Sequence, residues 1–197
     1  MSKAVFGVDK DIFYAASEVY LGQKSASGLA NAFVFSDPLL NLMHYDVDFD
    51  KASISFKNAR DVIASYNDYK YREFYIRFYN IAIARCEIFS KLRAAYKSGN
   101  IEYIKKTAEK TLPQLLCDTK AFYKIFKDMW YADYKTFGIE MYTHDFGGAI
   151  LRIEDSIEIL NDYILGKTDR IEALEPELLT GLNKTWRSNV SYLSVMR

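Results

Sequence analysis

Histidine, cysteine, proline and tryptophan are all scarce in this sequence: two histidines, two cysteines, three prolines and two tryptophans among 197 residues. His44 and His144 have no cysteine or second histidine at ligand spacing, so no zinc pattern forms around either. Cys86 and Cys117 each lie inside an apolar helical pattern, the setting of buried thiols in a reducing compartment rather than of a disulfide framework. Net charge is lacking too. The 26 Lys and Arg balance the 26 Asp and Glu, so no global basic field points to nucleic acid. No apolar run approaches the ~20 residues that span a bilayer. The opening Met1-Ser-Lys-Ala-Val-Phe6 is too short and too weakly apolar for a secretion signal. These absences predict a cytoplasmic chain with neither a nucleic-acid nor a membrane partner. Glycine-rich phosphate cradles and nucleophile elbows are missing as well, and no cofactor is expected.

What the chain has is aromatic and aliphatic bulk. Half the residues are hydrophobic, with 16 Tyr and 13 Phe, enough for one sizeable core and far from a disordered composition. The pattern predicts an all-α fold: a helical bundle around a long antiparallel helix hairpin, with a short extended C-terminal segment. It divides into a loop-rich lead-in over 1–50, the bundle over 51–180 and an extended tail over 181–197. No period of ~20–50 residues repeats, which argues against a solenoid.

In chain order, Asp9 with Ile12, Phe13, Ala16 and Val19 predicts a helix over 8–20. Gly22 and Ser25-Ala-Ser-Gly28 read as a loop. Ala32-Phe-Val-Phe35 reads as a brief strand or extended segment, closed by a turn at Ser36-Asp37-Pro38. A helix follows over 53–66. A long one runs from Tyr69 to Lys97, with Phe74, Phe78, Ile81, Ile88, Leu92 and Ala95 in a row and a stop at Ser98-Gly99-Asn100. The next, over 101–131, carries Ile104, Ala108, Leu112, Leu115, Phe122, Ile125 and Met129 on one face. Pro113 should kink or split it near Thr111. After Gly138, Thr143 or His144 is the candidate cap of a helix with the stripe Phe146, Ile150, Ile153, Ile157, Leu160 and Ile164. Its opposite face, Arg152, Glu154, Asp155 and Glu158, reads as solvated. Gly147 and Gly148 fall at its start, where close packing on the preceding helix would explain them. Gly166 ends it, and a short acidic helix is expected over 171–179.

Candidate chemistry is thin. Asp46, Asp48 and Asp50 have the spacing of a calcium loop without its central glycine or closing glutamate. Arg85 interrupts an apolar row and reads as partly buried, paired with a carboxylate or reaching water. His144 and Asp145 are adjacent on a helix start, so their side chains diverge. Tyr66, Tyr69, Tyr71, Tyr75 and Tyr79 form an aromatic face suited to packing, with a sugar or a partner as the alternative.

One stretch is more specific. Trp130-Tyr-Ala-Asp-Tyr-Lys-Thr-Phe-Gly-Ile-Glu-Met-Tyr-Thr-His-Asp-Phe-Gly-Gly148 resembles the C-terminal helical region of bacterial family 20 glycoside hydrolases, the β-N-acetylhexosaminidases. There a Trp-led helix end is followed by Lys-Pro-Phe-Gly-Trp-Glu and then by Arg-(Tyr or Phe)-Gly-Gly. Phe35-Ser-Asp-Pro-Leu-Leu40 resembles that family's Asn-Asp-Pro-Leu-Leu turn, and Leu112-Pro113 falls at its Leu-Pro. Asp162-Tyr-Ile-Leu-Gly166 and the segment up to Leu179 resemble its Tyr-Leu-x-Gly region. The likeness runs from about Asp9 to Leu179. Thr136 replaces a proline, Ile139 a tryptophan and Asp145 an arginine.

The resemblance implies a non-catalytic domain that supports a hexosaminidase barrel and helps the enzyme dimerise. The family's Asp-Glu catalytic pair lies on a TIM barrel of ~200 or more residues, which this chain is not patterned to form. No catalytic residue is carried over. The implied partners are that barrel and a second copy, and Trp130, Phe137, Gly138, Gly147 and Gly148 are the candidate interface or joint residues. The competing expectation is a free-standing module that binds a peptide or glycan through its tyrosine-rich face.

Overall fold

Asp48 starts the bundle. Its carboxylate accepts from the Lys51 backbone N–H at 3.0 Å, capping a helix that begins at Phe49 rather than Ser53. The computed structural model describes residues 9–21, 33–40 and 48–176. The helices are α1 (Lys10–Leu21), α2 (Phe49–Ala64), α3 (Arg72–Lys97), α4 (Ile101–Lys106), α5 (Leu112–Asp133) and α6 (Ile139–Ile164). Among the described residues there is no strand, and the fold is all-α. His44, the glycine loop of 22–28 and the expected extended tail lie outside the described residues.

The hairpin is α3 against α4–α5. Gly99, at φ +69°, makes the turn, and the Asn100 side chain caps α4 by accepting from Tyr103 N at 3.0 Å. Pro113 splits the second arm as its chemistry demands. Lacking an N–H and crowding the carbonyl four residues back, it sits just after a π-helical segment, Thr107–Thr111. The predicted row on α3 is buried apart from half-buried Phe74. Buried Asp118 of α5 ties the arms together, accepting from Arg77 Nη1 at 2.7 Å and Gln114 Nε2 at 3.0 Å.

Several expectations are corrected. Residues 33–35 are helical, not extended, while the turn after them is present at 38–40. Asp37 makes that turn: its Oδ1 accepts from Leu39 N at 2.9 Å and Leu40 N at 3.0 Å, flanking the donorless Pro38. Arg85 is fully buried. It donates to Ser36 O and, at 2.9 Å, to Val34 O, so it fastens this segment onto α3. Cys86 is buried but Cys117 is exposed, and both are free thiols. Of the acidic helix expected over 171–179, the described part, 171–176, holds a 3-10 turn, Glu172–Leu174. Arg93 binds its end instead, donating to the carbonyls of Ala173, Leu174 and Pro176 at 3.1, 2.6 and 2.7 Å.

Candidate interface at the α5–α6 joint

α6 starts four residues before the cap expected at Thr143. Gly138 precedes its first turn at φ +96°, a backbone conformation that costs a side chain dearly. A Cβ added there would sit 3.2 Å from the Trp130 ring, so Gly138 is required by conformation and by space together. Trp130 is held in turn. Its indole Nε1 donates to Lys135 O at 2.9 Å, closing the loop 134–138 over the end of α5. The Gly138 N–H donates to Glu140 Oε2 at 2.8 Å, which satisfies one donor of the helix start.

An aromatic network fixes the angle between the two helices. Phe126 meets Tyr142 at 4.8 Å and Phe146 at 5.8 Å between ring centroids, and Trp130 meets Tyr134 at 4.9 Å and Tyr142 at 5.3 Å. Thr143 is not a cap. Its hydroxyl donates to Ile139 O at 2.9 Å and lies 2.7 Å from Tyr123 OH. The joint is rigid on its inner side.

Its outer side is bare. Phe137 is 86% exposed, Tyr134 65% and Met141 56%, with Tyr131 beside them at 51%. Four large apolar or amphipathic side chains converge on one helix end, although the same chain buries Phe33, Phe56 and Phe146 completely. This concentration differs from the singly scattered apolar residues of an ordinary surface.

The structure brings Trp130, Phe137 and Gly138 together and leaves Gly147 and Gly148 outside. Both of these are interior to α6, two turns in, rather than at its start. A Cβ on Gly147 would meet nothing within 4 Å, so packing on the preceding helix does not explain that residue. His144 and Asp145 do not diverge as expected: Nδ1 and Oδ1 lie 3.8 Å apart, within ion-pair distance for a protonated imidazole but too far for a hydrogen bond.

Of the tyrosine face only Tyr79 is internal, and Tyr66, Tyr69, Tyr71 and Tyr75 are half-buried. Tyr79 is fully buried and donates to Ala15 O. Tyr69 stacks on Tyr75 at 6.2 Å, edge-on to Tyr71 at 5.9 Å. Burial, with the Tyr75 and Tyr71 rings beside it, pushes the Tyr69 phenol up to about 12. Among the described residues, no group of three or more His, Cys, Asp or Glu is placed to hold a metal ion. No described helix is long and apolar enough to cross a membrane.

Sequence reasoning missed Arg152. It is not on a solvated face: its Nε donates to the buried Asp37 Oδ2 at 2.6 Å, and Nη1 to Asp155 at 2.9 Å. Burial opposes its charge most strongly, but the Asp37 and Asp155 carboxylates together outweigh that and raise the guanidinium pKa above its ordinary value. The Asp-Pro turn is thereby locked to α6. Tyr134 and Met141 were missed as well. Among curated proteins, none matches this chain. Residues 17–190 match the family model described as Glycoside Hydrolase 20C C-terminal domain, and with most of its length covered the chain belongs to that family.

Proposed function

We propose that this domain buttresses the catalytic barrel of a β-N-acetylhexosaminidase without contributing catalytic residues, and that two copies of it associate. The observation that carries the reading is the exposed knob at the joint in a chain of this glycoside hydrolase family. Phe137 stands on a glycine-made bend that Trp130 braces from behind. The brace sets where the Phe137 backbone stands, so a neighbouring unit that receives the ring need order little beyond the side chain itself, which favours a binding hot spot. The barrel is the neighbour proposed for this end.

Mixing the pure chain with a separately produced catalytic barrel of a family 20C enzyme tests this, with association followed by calorimetry. Phe137→Ser together with Tyr134→Ser should weaken association at least about tenfold, the scale of one lost anchor of ~1.4 kcal/mol or more. The chain alone should show no turnover of a chromogenic N-acetylglucosaminide. Turnover by the pure chain, or a double variant that binds the barrel as wild type does, overturns the proposal.

A further inference from the structure

We infer that the groove on α3 beneath residues 171–176 is a docking site for a short linear peptide, filled here by the chain's own segment as a detachable latch. Ile171 and Leu174 are its two pegs, three residues apart across a 3-10 turn and each 1% exposed. Leu174 closes a small cavity walled by Pro38 and Leu39 of the Asp-Pro turn and by Ile88, Phe89 and Leu92 of α3. Most of the other contacts reach main chain. Arg93 donates to the carbonyls of Ala173, Leu174 and Pro176. The Tyr96 hydroxyl accepts from the Ile171 N–H at 3.1 Å and donates to the Glu175 carboxylate.

These contacts define what the groove accepts. Two aliphatic anchors fill apolar space and set the register, while one guanidinium holds backbone that any sequence presents. A peptide with aliphatic side chains three residues apart, and an acidic residue directly after the second, satisfies all of them. The segment now in place is held lightly. Burial lowers the Arg93 guanidinium pKa below its ordinary value, and its partners are neutral carbonyls, which bind a guanidinium less strongly than a carboxylate does. Gly166, at φ +69°, turns the chain out of α6, and Leu165, Lys167, Asp169 and Arg170 on the way to the latch are exposed. Residues 171–176 can therefore lift without unwinding a long helix, at far lower cost than opening the bundle.

The test uses the full chain and a synthetic peptide of residues 168–176. Ile171→Ser with Leu174→Ser empties the groove, and this variant should bind the peptide at least about tenfold more tightly than wild type, whose latch competes. Arg93→Ala added to the variant, or Leu174→Ser in the peptide, should weaken that binding about tenfold or more. Equal binding to wild type and variant, or binding that ignores Arg93, overturns the site. So does a variant that is folded by circular dichroism and binds nothing. Hydrogen exchange on the wild-type chain decides the matter without any substitution. The amides of Leu174 and Glu175, bonded only within the turn, should exchange at least about tenfold faster than those of Ile88 and Leu92. Excess peptide should speed them further by holding the groove once the latch has lifted. Protection equal to that of α3, or exchange that ignores the peptide, overturns the latch.

Discussion

Two glycines and one arginine separate what this chain needs for its own fold from what it does not. Gly138 is needed internally. Gly138→Ala forces a Cβ into a left-handed conformation and against Trp130 at 3.2 Å, and should cost about 1–3 kcal/mol. Gly147→Ala meets no obstacle and should stabilise the monomer by up to about 1 kcal/mol. Urea denaturation of both variants, below the concentration at which copies associate, gives the comparison. Equal effects would remove the distinction. Arg152→Ala leaves the carboxylate of Asp37, 3% exposed, without its guanidinium. Because Arg152 itself is one-third exposed, the loss should fall near the lower end for a broken pair, about 2 kcal/mol. Asp37→Asn/Arg152→Ala should recover part of it, since a neutral amide is cheaper to leave buried, and the carbonyl of Asn still serves Leu39 and Leu40.

At the scale of elements, the long helices were legible because their apolar rows keep the three-and-four spacing, on α3 to within two residues of each end and on α6 from Phe146 onward. Phe78, Ile81, Ile88 and Leu92 on α3, and Phe146, Ile153 and Leu160 on α6, are buried as that spacing requires. The start of α6 was not legible. Its first turn carries exposed Glu140, Met141 and Tyr142, so the amphipathic signal begins only at Phe146, and the cap is a glycine where Ser, Thr, Asp or Asn is the usual mark. Residues 33–35 were misread because the carbonyls of Val34 and Ser36 are satisfied by Arg85 from α3, a partner about fifty residues away in sequence. Pro113 was read correctly as a break, but its form, a π segment, depends on one residue more than an α-turn accommodates. That gives a prediction for the hairpin arm. Deleting Lys110 alone puts Pro113 inside a continuous α-helix and should cost about 3 kcal/mol. Deleting it together with Pro113→Ala should restore most of that, as measured by denaturant midpoint and helical ellipticity. If the double change is no better than the deletion, Pro113 is not what holds the π segment.

For the molecule as a whole, the core is sealed by groups that must stay neutral, and this sets how the fold fails at high pH. Burial pushes Tyr69 and Tyr103 up to about 12 from the ordinary 10, and the Cys86 thiol up to about 12 from 9. Each of these groups holds its proton more tightly folded than unfolded. The unfolded chain therefore loses those protons first, and stability falls as pH rises, from about 9 through 12. Below pH 9 these groups cause no change. Thermal melts should therefore be flat with respect to them up to about pH 9 and then drop steadily. Phenolate absorbance from Tyr69 and Tyr103 should appear only as the helical signal is lost. Cys86→Ala should delay the onset, because it removes the group whose window opens first, while a cavity of one sulfur lowers the plateau by about 1 kcal/mol. Smooth titration of every tyrosine near 10 in the folded protein would show that the Tyr69–Tyr71–Tyr75 stack is open to water. In that event the tyrosine face, rather than the joint at Phe137, would be the surface on which a partner is to be sought.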